Sequence, residues 1–89
     1  MERRVYLFEG SVQGVGFRYT AANLALQYDV KGYVRNLPDG RVELVAEGPA
    51  RDLDSLLDDI THKMQGLIRQ THVRSEPPTG EFERFCIRH

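Results

Sequence analysis

The chain has 89 residues, of which 40% are hydrophobic and 28% charged, with 12 basic against 13 acidic side chains and a formal net charge of -1. That length suits one domain spanning residues 1–89, with no room for a core plus a separate cofactor domain, and the charge balance gives no general pull toward nucleic acid or a membrane surface. A single cysteine, Cys86, excludes an intrachain disulfide and a thiol-rich zinc site, and no stretch nears the roughly 20 apolar residues of a membrane-spanning helix, so a reduced, cytoplasmic, soluble domain is expected.

In chain order, Val5–Phe8 is a short apolar run that reads as a buried strand, too short for a signal peptide, and Glu9 and Gly10 end it. After a glycine-rich stretch, Phe17, Ala21, Leu24, Ala25 and Tyr28 recur at helical spacing and make one apolar face, with Gly32 a few residues beyond the end. Tyr33–Asn36 reads as a strand. Leu37-Pro38-Asp39-Gly40 is a turn signal, because proline presets its backbone angle and glycine tolerates positive φ. Val42, Leu44 and Ala46 then alternate with Glu43, Val45 and Glu47, a strand that completes a hairpin with Tyr33–Asn36. Gly48-Pro49 stops it, and Leu53, Leu56, Leu57, Ile60 and Met64 form a second helical stripe, with Gly66 as its stop. Gln70–Arg74 reads as a strand, Pro77–Gly80 as a loop, and Phe85–Arg88 as a short edge strand.

This order predicts an α+β fold, a ferredoxin-like βαββαβ sandwich. Two helices cover one face of an antiparallel sheet that carries a short extra C-terminal edge strand. In its first βαβ unit the two strands run parallel with another strand between them, so their C-terminal ends share one edge. The glycine-rich loop follows the first strand and Asn36 ends the second, so the two should meet in space.

The loop Gly10-Ser11-Val12-Gln13-Gly14-Val15-Gly16-Phe17-Arg18 carries the chemistry. Glycines let successive N–H groups point into one concavity, a nest for an anion. The loop opens into a helix whose free N–H groups and dipole favour negative charge, and the planar fork of Arg18 can grip two phosphate oxygens. A Walker A loop would need Gly-Lys-Ser/Thr, and a dinucleotide fingerprint a third glycine where Tyr19 stands; neither is present. A bare strand-to-helix connection with a solvated Arg18 is the plainer alternative for Gly-x-Gly alone.

The string Gly-x-Val-Gln-Gly-Val-Gly-Phe-Arg, ending at Arg18, resembles the first signature of the acylphosphatase family. Gly32-Tyr33-Val34-Arg35-Asn36-Leu37-Pro38-Asp39-Gly40 resembles its second, and Val42–Pro49, Pro77–Phe82 and the ending around Phe85 and Ile87 continue the similarity over nearly the whole chain. The stretch Met64–Arg74 gives least to align. The resemblance implies metal-independent hydrolysis of the carboxyl–phosphate anhydride of an acyl phosphate, with no cofactor and no phosphoenzyme. It implies Arg18 and Asn36 as catalytic residues, the first binding substrate phosphate and the second positioning the attacking water. The phosphate-binding loop would be Gln13, Gly14, Val15, Gly16, Phe17 and Arg18, and inorganic phosphate or a similar anion would fit it. A monomer acting on a small molecule, with no nucleic acid or membrane partner, is the expectation.

Other residues read as structural. His62, His72 and His89 are scattered without metal-ligand spacing, and Cys86 alternates with Phe85 and Ile87 as a strand residue. Arg3, Arg4 and Arg35 read as solvated strand positions, with Arg35 able to guide an anionic substrate. Asp52, Asp54, Asp58 and Asp59 read as the solvated face of the second helix, and Tyr19 as a pocket, core or rim residue. Two other function classes remain open. Lys31-Gly32-Tyr33-Val34 is similar to the start of an RNA-recognition signature, though the second aromatic cluster is missing. Acylphosphatase-like domains also begin larger carbamoyl-transfer proteins.

Overall fold

Strand alternation and helical spacing place the elements where the apolar residues recur. A computed structural model describes residues 1–89. In order it has strand β1 (Glu2–Gly10), helix α1 (Phe17–Ala25), β2 (Lys31–Asn36), β3 (Val42–Gly48), helix α2 (Ala50–Lys63), β4 (Ile68–Glu76) and β5 (Phe85–Arg88). The five strands form one sheet in the order β4-β1-β3-β2-β5. Tyr6, Phe8, Val34, Val42, Leu44 and Ala46 share one buried cluster with Phe17, Ala21 and Ala25 of α1 and Leu53, Leu56 and Ile60 of α2. Both helices therefore cover the same face, as expected, and each large apolar side chain buried there contributes roughly 1.5–3 kcal/mol. No helix is long and apolar enough to cross a membrane.

The departures from expectation have physical causes. Tyr28 lies past the end of α1, in a turn whose N–H groups bond back to Asn23, Leu24 and Ala25, yet it still packs against the core. β4 runs the full length of β1 although most of its residues are exposed. Its strand character comes from the hydrogen-bonded ladder, which composition does not reveal. β1 is extended for the same reason, being paired on both sides. Arg3 and Arg4 are not solvated: their side chains keep 14% and 15% exposure, each held between acidic partners. Arg4 pairs with Glu2 and with Asp54 of α2, Asp59 accepts from the Tyr28 hydroxyl, and Asp52 accepts the Asp29 N–H, so that acidic face is partly bonded.

The sheet is mixed, because β5 pairs parallel to β2 instead of antiparallel. β4 ends at Glu76, opposite Arg3, and β5 starts at Phe85, opposite Gly32 near the beginning of β2. The connection thus crosses one end of the sheet from edge to edge, and β5 must set off in the direction of β2. Glu47, only 4% exposed, anchors that crossing. Its carboxylate accepts the N–H groups of Thr79 and Gly80 at 2.9 Å each, the Thr79 hydroxyl at 3.0 Å and Arg3 Nη1 at 2.9 Å. Arg3 also bonds Glu76 and Glu81, and Phe82 sits beneath its guanidinium and against Tyr33.

Burial alone would raise the Glu47 pKa, but the Thr79 and Gly80 N–H groups, Arg3 and the Thr79 hydroxyl outweigh it and bring it down to about 2. A folded-state pKa below the unfolded one gives stability that is complete above the ordinary carboxylate range and lost as pH falls toward about 2. Glu47→Gln is expected to cost about 3 kcal/mol at neutral pH, because Arg3 loses its most buried counter-charge. The gap to wild type in urea unfolding should narrow as pH drops toward about 2. Equal stabilities at neutral pH, or a gap that widens in acid, would contradict this anchor.

Candidate active site

The register of β3 brings two distant segments to one place. Phe8 of β1 and Asn36 of β2 both pair with Val42, one on each side, so the ends of β1 and β2 lie level at one edge of the sheet. Asn36 stands two residues after the buried Val34 and so faces the helix-covered side, under the start of α1. It is half-buried there.

The loop between β1 and α1 is pinned at both ends by apolar side chains. Val12 and Phe17 are 0% and 2% exposed, and the Phe17 ring packs on Phe8 with centroids 4.9 Å apart. Between them Gly14 and Gly16 take φ of 75° and 78°, which L side chains rarely adopt. A Cβ at either would meet nothing within 4 Å, so backbone angle and not space calls for glycine. Gly16 starts α1 without a side-chain cap, and no acidic residue lies in the first turn. The Thr20 N–H is the first to bond within the helix, to Gly16 O at 3.0 Å. The N–H groups before it are left without an intrahelical partner, and the helix dipole adds positive potential where they point.

Gln13 holds this loop to the β2–β3 hairpin. Its Nε2 donates to Leu37 O at 2.8 Å and to Arg41 O at 2.9 Å. Leu37 directly follows Asn36, so one side chain fixes the loop relative to the asparagine. The Gln13 side chain is spent on this strut, and only its backbone remains for an anion.

Arg18 has a brace that the sequence does not announce. Parallel pairing of β5 with β2 runs Phe85, Ile87 and then His89 along the helix-covered face. Arg18 Nη1 donates to Arg88 O at 3.3 Å and lies 3.3 Å from Nδ1 of His89. His89, read as one more surface histidine, touches the guanidinium at the centre of the site. His72 is bonded too, 2.6 Å from Glu9. Arg35 lies on the opposite face, bonded to Glu43 at 2.7 Å, so it does not face the loop.

Val12, Gly14, Gly16, Phe17, Arg18, Tyr19 and Asn36 line one cavity of about 130 Å³. Of the loop residues singled out by sequence, Gly14, Gly16, Phe17 and Arg18 line it with Asn36. Gln13 turns to the hairpin and Val15 stands exposed at the crest between the glycines. The arrangement offers a guanidinium, free N–H groups and a neutral amide around one cavity.

The acylphosphatase family model matches residues 4–87. The chain belongs to the acylphosphatase family. It is 47% identical over 89 residues to an acylphosphatase of Methylococcus capsulatus, covering 98% of this chain and 96% of that one. The fold superposes on the crystal structure of acylphosphatase from Bacillus subtilis with a TM-score of 0.92 at 32% identity, covering 100% of both chains. It also matches a segment of full-length HypF in a phosphate- and nucleotide-bound form, with a TM-score of 0.86 and 27% identity over 99% of this chain but 12% of that one. The activity of the family is hydrolysis of acyl phosphates, and this chain is a hydrolase acting on an acid anhydride.

Proposed function

We propose that the Gln13–Arg18 loop and the start of α1 hold the phosphate of the acyl phosphate, with Arg18 gripping its oxygens and Asn36 positioning the water that attacks phosphorus. The observation that carries this reading is the single cavity lined by both Arg18 and Asn36. Water adds to phosphorus, the bond from phosphorus to the acyl oxygen breaks, and the carboxylate departs with the bonding electrons. The conjugate acid of that leaving group has a pKa of about 4, so no general acid is needed. A loose transition state asks for positioning and for charge stabilisation. Asn36 meets the first need, Arg18 and the N–H groups the second, with no metal ion called for.

Asn36 cannot take a proton at neutral pH, so the proton from water passes to the substrate phosphate. Hydrolysis in 18O-labelled water is expected to place the label in phosphate, and kcat/KM should show no rising limb that reports an enzymic base. Label in the carboxylate, or such a limb, would count against this assignment. Residues 1–89 are proposed to act as one functional unit, a cytoplasmic monomer without nucleic-acid or membrane partners. The near-neutral charge balance and the unpaired, half-buried Cys86 support that reading, and sedimentation tests the oligomeric part.

A further inference from the structure

The cavity has room for a phosphoryl group but not for what is attached to it. Its volume is about 130 Å³, below the roughly 150 Å³ of a cavity that holds a benzene ring alone. A phosphoryl group and its attacking water fill that space. In-line displacement points the leaving oxygen away from the water, so the carbonyl carbon and its substituent emerge at the rim. The rim offers little apolar surface to receive them. Val12 and Phe17 are 0% and 2% exposed and belong to the core, while Gly14 and Gly16 have no side chains. Tyr19 alone among the lining residues carries a large, exposed side chain with an apolar body, at 64% exposure. Val15, between the two glycines, is 43% exposed. Neither is needed to build the core; Tyr19 lines the cavity, and Val15 stands between its two lining glycines.

We infer that Tyr19, with Val15 beside the glycines, is the specificity-determining surface for the acyl substituent, favouring aromatic or long aliphatic acyl phosphates over acetyl phosphate. The inference rests on the phosphate lying at Arg18 as proposed above. An aromatic ring presents a broad, rigid apolar face at small entropic cost, and a benzoyl group stacks on it where an acetyl group cannot.

The test compares kcat/KM for benzoyl phosphate and acetyl phosphate in wild type, Tyr19→Ala and Tyr19→Phe, with inorganic phosphate as competitive inhibitor. Tyr19→Ala is expected to lower the benzoyl-to-acetyl ratio about 3- to 10-fold, chiefly through KM for benzoyl phosphate. Tyr19→Phe should restore the ratio, because the ring and not the hydroxyl makes the contact. The phosphate inhibition constant should follow wild type in both variants, since on the proposed reading Arg18 and the loop N–H groups, not the Tyr19 ring, hold the phosphate. An unchanged ratio in Tyr19→Ala overturns the inference. So does an equal loss on both substrates with weakened phosphate inhibition, which would mean that Tyr19 acts through the loop. Absence of hydrolysis by wild type would instead defeat the underlying reading of the site, an outcome distinct from an unchanged ratio.

Discussion

Arg18→Ala is expected to lower kcat/KM for acyl phosphate hydrolysis by at least ~10²-fold, on the scale of losing a preorganised donor to a developing oxyanion. Three features set the size of the effect. Arg18 is the one full positive charge lining a cavity whose other donors are neutral. Its guanidinium donates to Arg88 O and lies against His89, two contacts that orient it before substrate arrives. In a loose transition state the charge of the transferring group is spread over its three equatorial oxygens, and on the proposed reading the guanidinium fork meets two of them at once. Arg18→Lys should therefore recover little, because an ammonium keeps the charge and loses both the fork and the contacts to β5. The loss should fall on KM and kcat together, with weakened inhibition by inorganic phosphate. Near wild-type turnover in either variant would overturn the role given to Arg18.

Asn36→Ala should give the second large effect, a fall in kcat of roughly 10²-fold, as expected for misplacing a reacting group. Here KM should change little, since the proposed partner of Asn36 is the water and not the phosphate. The fold should survive: Asn36 ends β2, its ladder bonds to β3 are backbone, and the loop strut from Gln13 reaches Leu37 and Arg41 carbonyls that the substitution leaves alone. Asn36→Asp should be poor for another reason, because its carboxylate repels an anionic substrate and raises KM. A pattern with kcat intact and KM raised in Asn36→Ala would move Asn36 from the water to the phosphate.

Much of this site was legible in the sequence because it rests on local rules. The Leu37–Gly40 turn fixes where β2 ends, and the helical spacing that starts at Phe17 fixes where the loop ends. The right-handed βαβ rule then puts both ends at one edge, where the pairing of Phe8 and Asn36 with Val42 brings them level. Phe85–Arg88 was legible for the same reason, from its position after a loop rich in turn residues. The brace on Arg18 was not. It needs β5 to run parallel to β2 along the far edge, and that direction follows from a crossing loop tied down by Glu47, far away in sequence. Arg3 was misread as solvated because its partners Glu47, Glu76 and Glu81 come from three later segments. β4 was read too short because its ends carry no alternation; the ladder to β1 supplies what the side chains do not.

The most direct test of the account is phosphate release from benzoyl phosphate by the purified chain in excess chelator, with Arg18→Ala and Asn36→Ala alongside. The account predicts full wild-type hydrolysis in chelator and at least a ~10²-fold loss in each variant, on proteins whose urea unfolding shows them folded. Hydrolysis that chelator abolishes, or that persists in both variants, would contradict it.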